Sequence, residues 1–572
     1  MEMKTMPRSL VPSAPSCKSL LSFYILMIVS TCYHVSSSFS FRSETTFLRN
    51  ITSCFTDHNI DNFTLYSSNN AYFDLLNFSL QNLRFSDPSV PKPSAIILPM
   101  RKEEISDIVL CCRKWSFDIR IRSGGHSYEG ISSSSANTEN DEASSFVVLD
   151  MMNLDKISVD LKSEFAWVEG GATLGQTYYA IAEASNVHGF PAGGCPTVGV
   201  GGHFSGGGFG FLGRKFGVSA DHVLDGLLVN AEGQILDRDG MGEDVFWAIR
   251  GGGGGNWGII FAWKIRLVKV PEIVTAFTVA RLHDKKQDLA DIIYQYQSVA
   301  PHLDDEFQIV AYVSSGLIPG SKEMAVIFQG LYQGPRSKAI SILNESFPEL
   351  RLQTEECREM SWIESVDYLS DFSGGQGSIS GLKERYFVGK SYFKIKSDYV
   401  REPLPKAGIK TLIDILENQP KGNVLFEPYG GFMDSIRSDA IAFPHRKGNL
   451  FSIAYTVAWD EMDEMSGKSK EYIDWIRGFH DAMTPYVSSH PRAAYVNYMD
   501  LDLGELAEFD NVSSIGFARA PVSPVELARG WGEKYFLENY DRLVMAKTVI
   551  DPLNVFKNQQ SLPPLSSHDY ES

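Results

Sequence analysis

Two short stretches of nearly bare backbone constrain this chain most. One is Arg122-Ser123-Gly124-Gly125-His126-Ser127-Tyr128-Glu129-Gly130. The other is Gly193-Gly194-Cys195-Pro196-Thr197-Val198-Gly199-Val200-Gly201-Gly202-His203-Phe204-Ser205-Gly206-Gly207-Gly208. Glycine lets the main chain approach a ligand closely, and successive N–H groups can then be aimed at phosphate oxygens. Each stretch also sets a nucleophilic side chain, His126 or Cys195, within that backbone.

At 572 residues the chain is long enough for more than one domain with an ample core. The net charge of −18 argues against a nucleic-acid partner, which needs a basic face. Zinc at Cys195 and His203 would want four convergent ligands, and no CxxC or HExxH partner is present, so no metal is assigned.

The N-terminus reads as a targeting segment. Lys4, Arg8 and Lys18 precede the apolar run Leu20 to Val29, and small residues follow at Ser36-Ser37-Ser38. That is the order of a secretory signal peptide, and the run is short of the ~20 residues that a membrane span requires. Cleavage is therefore read over anchoring, leaving no membrane segment in the mature chain. An oxidising compartment changes how the seven cysteines are read, since Cys17 and Cys32 leave with the signal. Five Asn-x-Ser/Thr sequons, at Asn50, Asn62, Asn77, Asn344 and Asn511, fit the same route to the apoplast or vacuole.

From Ser94 to Val268 strands and helices alternate. Strands are expected at 94–98, 119–122, 146–150, 166–171 and 259–268, helices at 103–115, after Gly171 through Ile181 and at 244–249, and a hairpin around Glu232-Gly233. Beyond Pro271, strands at 275–282, 307–313 and 324–331 alternate with helices at 289–296 and 339–343. That pattern indicates an α+β unit with helices on one face of an antiparallel sheet. Ser132 to Ser145 is acidic and serine-rich, a surface loop. Two glycine motifs mislead. Gly251 to Gly255 follows a helix and precedes a strand, the reverse of a dinucleotide fingerprint. Gly389-Lys390-Ser391 lacks the earlier glycine of a phosphate loop, because Glu384 stands there.

The two glycine stretches occur together with Met360-Ser361-Trp362-Ile363-Glu364-Ser365, Pro428-Tyr429-Gly430-Gly431, Pro444-His445-Arg446, Asn497-Tyr498-Met499-Asp500-Leu501-Asp502-Leu503-Gly504 and Gln560-Ser561-Leu562-Pro563-Pro564-Leu565. In that order they resemble the plant berberine bridge enzyme-like flavoproteins, of the vanillyl-alcohol-oxidase and PCMH-type FAD-binding superfamily, from about Cys54 to Leu565. The resemblance implies an α+β fold: a two-lobed PCMH-type FAD-binding domain, and a substrate domain whose antiparallel sheet lies opposite the flavin. The domains expected are a signal peptide at 1–38, the N-terminal segment and FAD domain at 39–272, and the substrate domain at 273–494. A C-terminal segment at 495–566 packs back on the FAD domain, and 567–572 is a tail.

By the same resemblance FAD is bound twice, His126 to the flavin's 8α-methyl carbon and Cys195 to C6. A lone histidine is more often a satisfied core residue, but its glycine-bounded position argues for the anchor. Further cofactor contacts are implied at Arg122, Ser123, Gly124, Gly125, Ser127, Gly194, Val198, Gly199, Gly202, His203, Gly206, Gly258, Ile259 and Asn497. Cys54 and Cys111 match the family's disulfide, with Cys112 an open alternative, and Cys357 is read as a buried free thiol. Val198 stands where a valine accompanies oxidases; its alternative is ordinary packing. Two covalent bonds fix the ring and raise its potential, which the protein tunes by position.

The catalytic base departs from the family pattern. By the resemblance, members carry a glutamate or a lysine at the position of Ser435, the lysine with a glutamine at that of Arg437, and Phe209 replaces a common tyrosine. Ser127 and Ser133 replace an aspartate and a tyrosine. Tyr498 remains in its motif and is taken as the catalytic residue, with Arg437 lowering its pKa or binding a substrate oxygen; a solvated surface arginine is the alternative. Tyr128, Phe209, Tyr429 and Ser435 are expected to line the substrate pocket. The leading expectation is a monomeric FAD oxidase acting on a small molecule, a phenolic by slight preference over an alkaloid or oligosaccharide, with oxygen as acceptor and hydrogen peroxide as product. The alternatives are a flavin-scaffold cyclase, such as a [4+2] cycloaddition of a diene with a chalcone using Arg437, and a non-catalytic glycoprotein.

Overall fold

The computed structural model describes residues 48–66, 70–135, 146–282, 286–315, 323–370, 377–419, 421–506 and 523–566. The signal segment, most of the Ser132–Ser145 loop and the Asn511 sequon lie outside the described residues.

The first unit is built on a four-stranded sheet ordered Phe63–Leu65, Ala95–Ile97, Phe146–Asp150, Asp118–Arg122. The last three are parallel, and helix Lys102–Lys114 provides the crossover. Its apolar face carries Ile105, Ile108, Val109, Cys111 and Cys112 into the core, and Glu104 caps its start by accepting from the Met100 N–H at 2.7 Å. Cys54 is disulfide-bonded to Cys111, while Cys112 and Cys357 are free and buried. Among the described residues one His/Cys/Asp/Glu cluster has metal-ligand spacing, Cys54, His58 and Cys111, and its thiols are joined in that disulfide.

A five-stranded sheet follows, ordered Ile157–Asp160, Phe165–Glu169, Ile259–Arg266, Val223–Val229, Ile235–Leu236. Helix Leu174–Ala184 packs beside it and opens on a capping box, in which Thr173 and Gln176 satisfy each other's backbone N–H. The second glycine stretch leaves this helix and runs between the two sheets. Helices Pro524–Phe536 and Tyr540–Ile550 return late in the chain to this core, where Trp531, Tyr535 and Leu543 pack with Trp247 and Trp257.

The third sheet has seven antiparallel strands, ordered Cys357–Met360, Val274–Leu282, Met324–Tyr332, Phe307–Ser315, Gly422–Pro428, Phe451–Trp459, Tyr392–Val400. Side chains alternate across it. Ile309, Ala311, Val424, Phe426, Ile453 and Tyr455 share one buried core with residues of helices Lys406–Glu417 and Ser469–Met483, so helices cover one face. Gln308, Val310, Tyr312, Asn423, Leu425, Glu427, Ala454 and Thr456 take the other face and front a cavity. The α+β class expected above is the class observed. Four strands of this sheet, Cys357–Met360, Tyr392–Val400, Gly422–Pro428 and Phe451–Trp459, are not foreseen by the sequence reading. Among the described residues no helix is long and apolar enough to cross a membrane.

Candidate active site

The cavity, about 630 Å³, lies between the glycine stretches and the bare face of the seven-stranded sheet. The first stretch is a loop and the second is loop on either side of the short helix Val200–Ser205, and both use conformations that glycine adopts cheaply, at Gly125, Gly130, Gly207 and Gly208. Gly125 has φ +71°, and a Cβ there would lie 1.5 Å from the Ser79 carbonyl oxygen. Gly124 and Gly199 are pressed together, since a Cβ on Gly199 would meet the Gly124 nitrogen at 2.2 Å. The two loops thus form one surface, and their nucleophiles converge. His126 Nε2 lies 2.8 Å from Thr197 Oγ1, and Cys195 Sγ lies 3.6 Å from the same oxygen. Burial pushes the His126 pKa down to about 3, helped by Lys390 and His203, so the imidazole is neutral. Burial raises the Cys195 thiol, opposed by the Thr197 hydroxyl and the Thr197 and Val198 N–H groups.

Of the residues expected to touch cofactor or substrate, Ser123, Gly124, Gly125, His126, Ser127, Tyr128, Gly194, Cys195, Val198, Gly199, Gly202, His203, Phe209, Gly258, Asn497 and Tyr498 line the cavity. Asn497 Nδ2 donates to the His203 carbonyl and to Tyr495 Oη, both at 3.0 Å. His203 Nε2 accepts from the Gly193 N–H at 3.0 Å, and burial lowers its pKa to about 4.

Six expectations are corrected. Arg122 does not point at the cavity; its guanidinium is buried against Asp150 at 2.7 Å and donates to the Leu75 and Leu76 carbonyls, fixing the loop from behind. Gly206 faces Asn497, not a ligand: a Cβ there would meet Asn497 Oδ1 at 2.0 Å. Ile259 is fully buried in the core beneath the first sheet. Tyr429 sits behind the pocket wall, stacked on Phe209 at 4.8 Å, its hydroxyl 3.1 Å from that of Tyr399. Ser435 ends a short 3-10 helix, Gly431–Ser435, and is exposed. Arg437 follows it, 81% exposed and paired with Asp439, so it reaches neither Tyr498 nor the cavity.

The sheet supplies what the sequence reading did not find. Glu427 lies inside the cavity wall, and its Oε2 accepts from Tyr498 Oη at 3.2 Å and from Ser452 Oγ at 3.1 Å. Burial raises its pKa to about 7, with the two hydroxyls opposing. Tyr498 is pushed well above its ordinary value by burial and by Glu427. Tyr128 lies 5.4 Å from the Tyr498 ring, so phenols flank the carboxylate. A signal was present: in Gly422-Asn423-Val424-Leu425-Phe426-Glu427, Val424 and Phe426 share one face and Glu427 falls on the other.

A buried ion network stitches loop, sheet and C-terminal motif. Lys394 pairs with Glu129 and, at 2.6 Å, with Asp500; Lys396 pairs with Asp500 at 2.5 Å and Asp502 at 2.9 Å. Glu129 adjoins Tyr128 and Asp500 lies two residues past Tyr498, so the network sets both phenols.

The cavity surface fits a large polar-headed cofactor. A Cβ on Gly202 would meet nothing within 4 Å, and those on Gly194, Gly254 and Gly255 would meet nothing closer than 3.6 Å. The glycine surface is therefore open toward the cavity where it is closed toward the protein. Gln81 Oε1 and Gln308 Oε1, both on residues that line it, are buried without a protein partner.

Comparison with known proteins agrees. Residues 93–238 match the family described as FAD binding domain, and residues 494–563 the family described as berberine and berberine like. Berberine bridge enzyme-like D-2 of Nicotiana tabacum is 55% identical over 92% of this chain and 94% of its own length. Reticuline oxidase of Papaver somniferum is 46% identical over 90% of this chain and 92% of its own. The solved berberine bridge enzyme of Eschscholzia californica superimposes with a TM-score of 0.83, covering 90% of this chain and 99% of that one at 43% identity. The chain belongs to the berberine bridge enzyme-like family of FAD-linked oxidases of plant specialised metabolism.

Proposed function

We propose that this protein is a bicovalent flavoprotein oxidase that removes hydride from a small molecule held between the glycine loops and the seven-stranded sheet, with Glu427 as its base. The observation that carries this reading is the half-buried Glu427–Tyr498 pair facing the loops across the cavity. FAD, tethered at His126 and Cys195, supplies the hydride acceptor. A base works best with a pKa near the operating pH, and Glu427, held near 7, meets that condition where Tyr498 does not. Tyr498 donates to the carboxylate and orients it. Glu427 then takes the proton of a phenol or an ammonium as hydride leaves the neighbouring carbon. The aromatic wall of Tyr128, Tyr312 and Phe393 suits a flat aromatic substrate, phenolic or alkaloid. Val198, on the cavity surface, leaves room for oxygen, which takes the electrons and gives hydrogen peroxide.

The cyclase alternative rested on a missing base and on Arg437 in the pocket; Glu427 and the exposure of Arg437 remove both supports. We read 39–272 as the FAD domain, 273–494 as the substrate domain and 495–566 as the returning segment. The disulfide and the exposed Asn62, Asn77 and Asn344 support a secretory route. The test is a panel of phenols, benzylisoquinoline-type amines and sugars, read by anaerobic bleaching and peroxide release. Bleaching by an aromatic member that is lost in Glu427→Gln supports the reading; bleaching by sugars alone overturns the aromatic assignment, and no bleaching by any class overturns the oxidase.

A further inference from the structure

Thr197 is buried between the two nucleophiles and touches both, His126 Nε2 at 2.8 Å and Cys195 Sγ at 3.6 Å. From this geometry we infer that the Thr197 hydroxyl is the positioning group for covalent flavin attachment, preparing the imidazole and the thiol together. The inference rests on the bicovalent reading above.

A hydroxyl has one hydrogen to give and lone pairs to accept with. A thiolate, the nucleophilic form of cysteine, can only accept. The hydroxyl hydrogen therefore goes to Cys195, and the hydroxyl oxygen accepts from His126. That assigns the imidazole proton to Nε2 and leaves the lone pair on the other ring nitrogen, free to attack. The Thr197 hydroxyl thus favours the thiolate and, together with the Thr197 backbone that also hydrogen-bonds the ring, selects the histidine tautomer. The thiol needs this help, because burial opposes thiolate formation, whereas burial already keeps the imidazole neutral and so able to attack. The local backbone supports it: the Thr197 and Val198 N–H groups also face the sulfur. The loops leave Thr197 little freedom, since its carbonyl oxygen lies 2.7 Å from where a Gly124 Cβ would be.

Each attachment breaks one protein N–H or S–H bond and one flavin C–H bond and forms one N–C or S–C bond. Two electrons and two protons leave per bond, and dioxygen takes them as hydrogen peroxide. Thr197 is regenerated unchanged, so it is a positioning residue.

The test uses full-length secreted protein mixed with FAD in air, and reads pigment that stays with acid-denatured protein, by in-gel fluorescence and intact mass. Thr197→Ala is expected to load roughly tenfold more slowly, the scale of one lost hydrogen bond to a charged or developing-charge group. Thr197→Ser, which keeps the hydroxyl, is expected to load within about twofold of wild type. The slowing should appear in both single-anchor backgrounds, Cys195→Ala and His126→Ala. Non-covalent yellow colour and circular dichroism of Thr197→Ala confirm folding, and Thr197→Val repeats the test with the branched shape retained. Wild type that keeps its pigment while Thr197→Ala loads equally fast, or Thr197→Ser that is as slow as Thr197→Ala, overturns this inference alone. Wild type that releases its pigment into acid overturns the bicovalent reading and this inference with it.

Discussion

The cavity has two walls, and they are made of opposite materials. The loop wall is rich in glycine and carries the imidazoles of His126 and His203 and the thiol of Cys195, and its chemistry depends on close backbone approach. The sheet wall is side chains alone, Glu427, Tyr312, Gln308 and Leu425 set by strand alternation. One wall fits a cofactor shared by the family, and the other fits whatever substrate this chain takes. The lesson is that binding of the common group is written in local motifs, while substrate chemistry is written in which strands become neighbours.

The sharpest way to break this comparison is Glu427→Gln. If the sheet wall carries the base, kcat falls by roughly 10²–10⁴-fold while acid-stable flavin is unchanged. Wild-type kcat should rise as pH passes upward through about 7, where the carboxylate forms, and the variant should lose that limb. The same residue costs stability. Its folded pKa is raised, so the native state holds a proton that the unfolded chain has already released. Stability therefore falls with rising pH from the ordinary glutamate pKa to about 7, and Glu427→Gln should gain up to about 3 kcal/mol over wild type above that window. Thermal melts at pH 4 and pH 8 measure it.

Next comes the seam between the walls. Lys394→Met strands Glu129 in the interior, leaves Asp500 with Lys396 alone, and should cost roughly 3–5 kcal/mol in denaturant titration. Unchanged stability would mean that loop and sheet are independent. The covalent staple behind the loop wall is a smaller effect. Cys54→Ser with Cys111→Ser should cost about 2–4 kcal/mol, read as a lowered Tm, with turnover at low temperature little altered. Smallest of all is Arg437→Ala. The side chain is exposed and bound only to Asp439, so kcat/KM should stay within about twofold of wild type and stability within about 0.5 kcal/mol. A tenfold loss would restore Arg437 to the pocket and contradict the wall described here.

The failures of the sequence reading follow the same division. The strand Tyr392–Val400 was passed over although Lys394, Lys396 and Asp398 alternate with Phe393, Ile395 and Tyr399, and the burial of those charges makes sense only once Glu129, Asp500 and Arg492 arrive from elsewhere in the chain. Glu427 was passed over because a single carboxylate in a strand carries no local sign of what faces it. Only pairing with Phe451–Trp459 brings Ser452 opposite it, and only the C-terminal motif brings Tyr498. Arg437 was overvalued because its position was matched to a residue of the family, and such a match does not fix where the side chain lies, here exposed beside Asp439.

The order of residues alone determined the glycine loops, their two nucleophiles and the FAD they fit, because close backbone approach is a local property that few residue types allow. Tertiary structure alone brought Glu427 to Tyr498 and Thr197 to His126, and left Arg437 exposed beside Asp439. The first two depend on distances between segments about seventy residues apart in sequence. Such distances are set by strand register and the burial of charge, which no local pattern encodes.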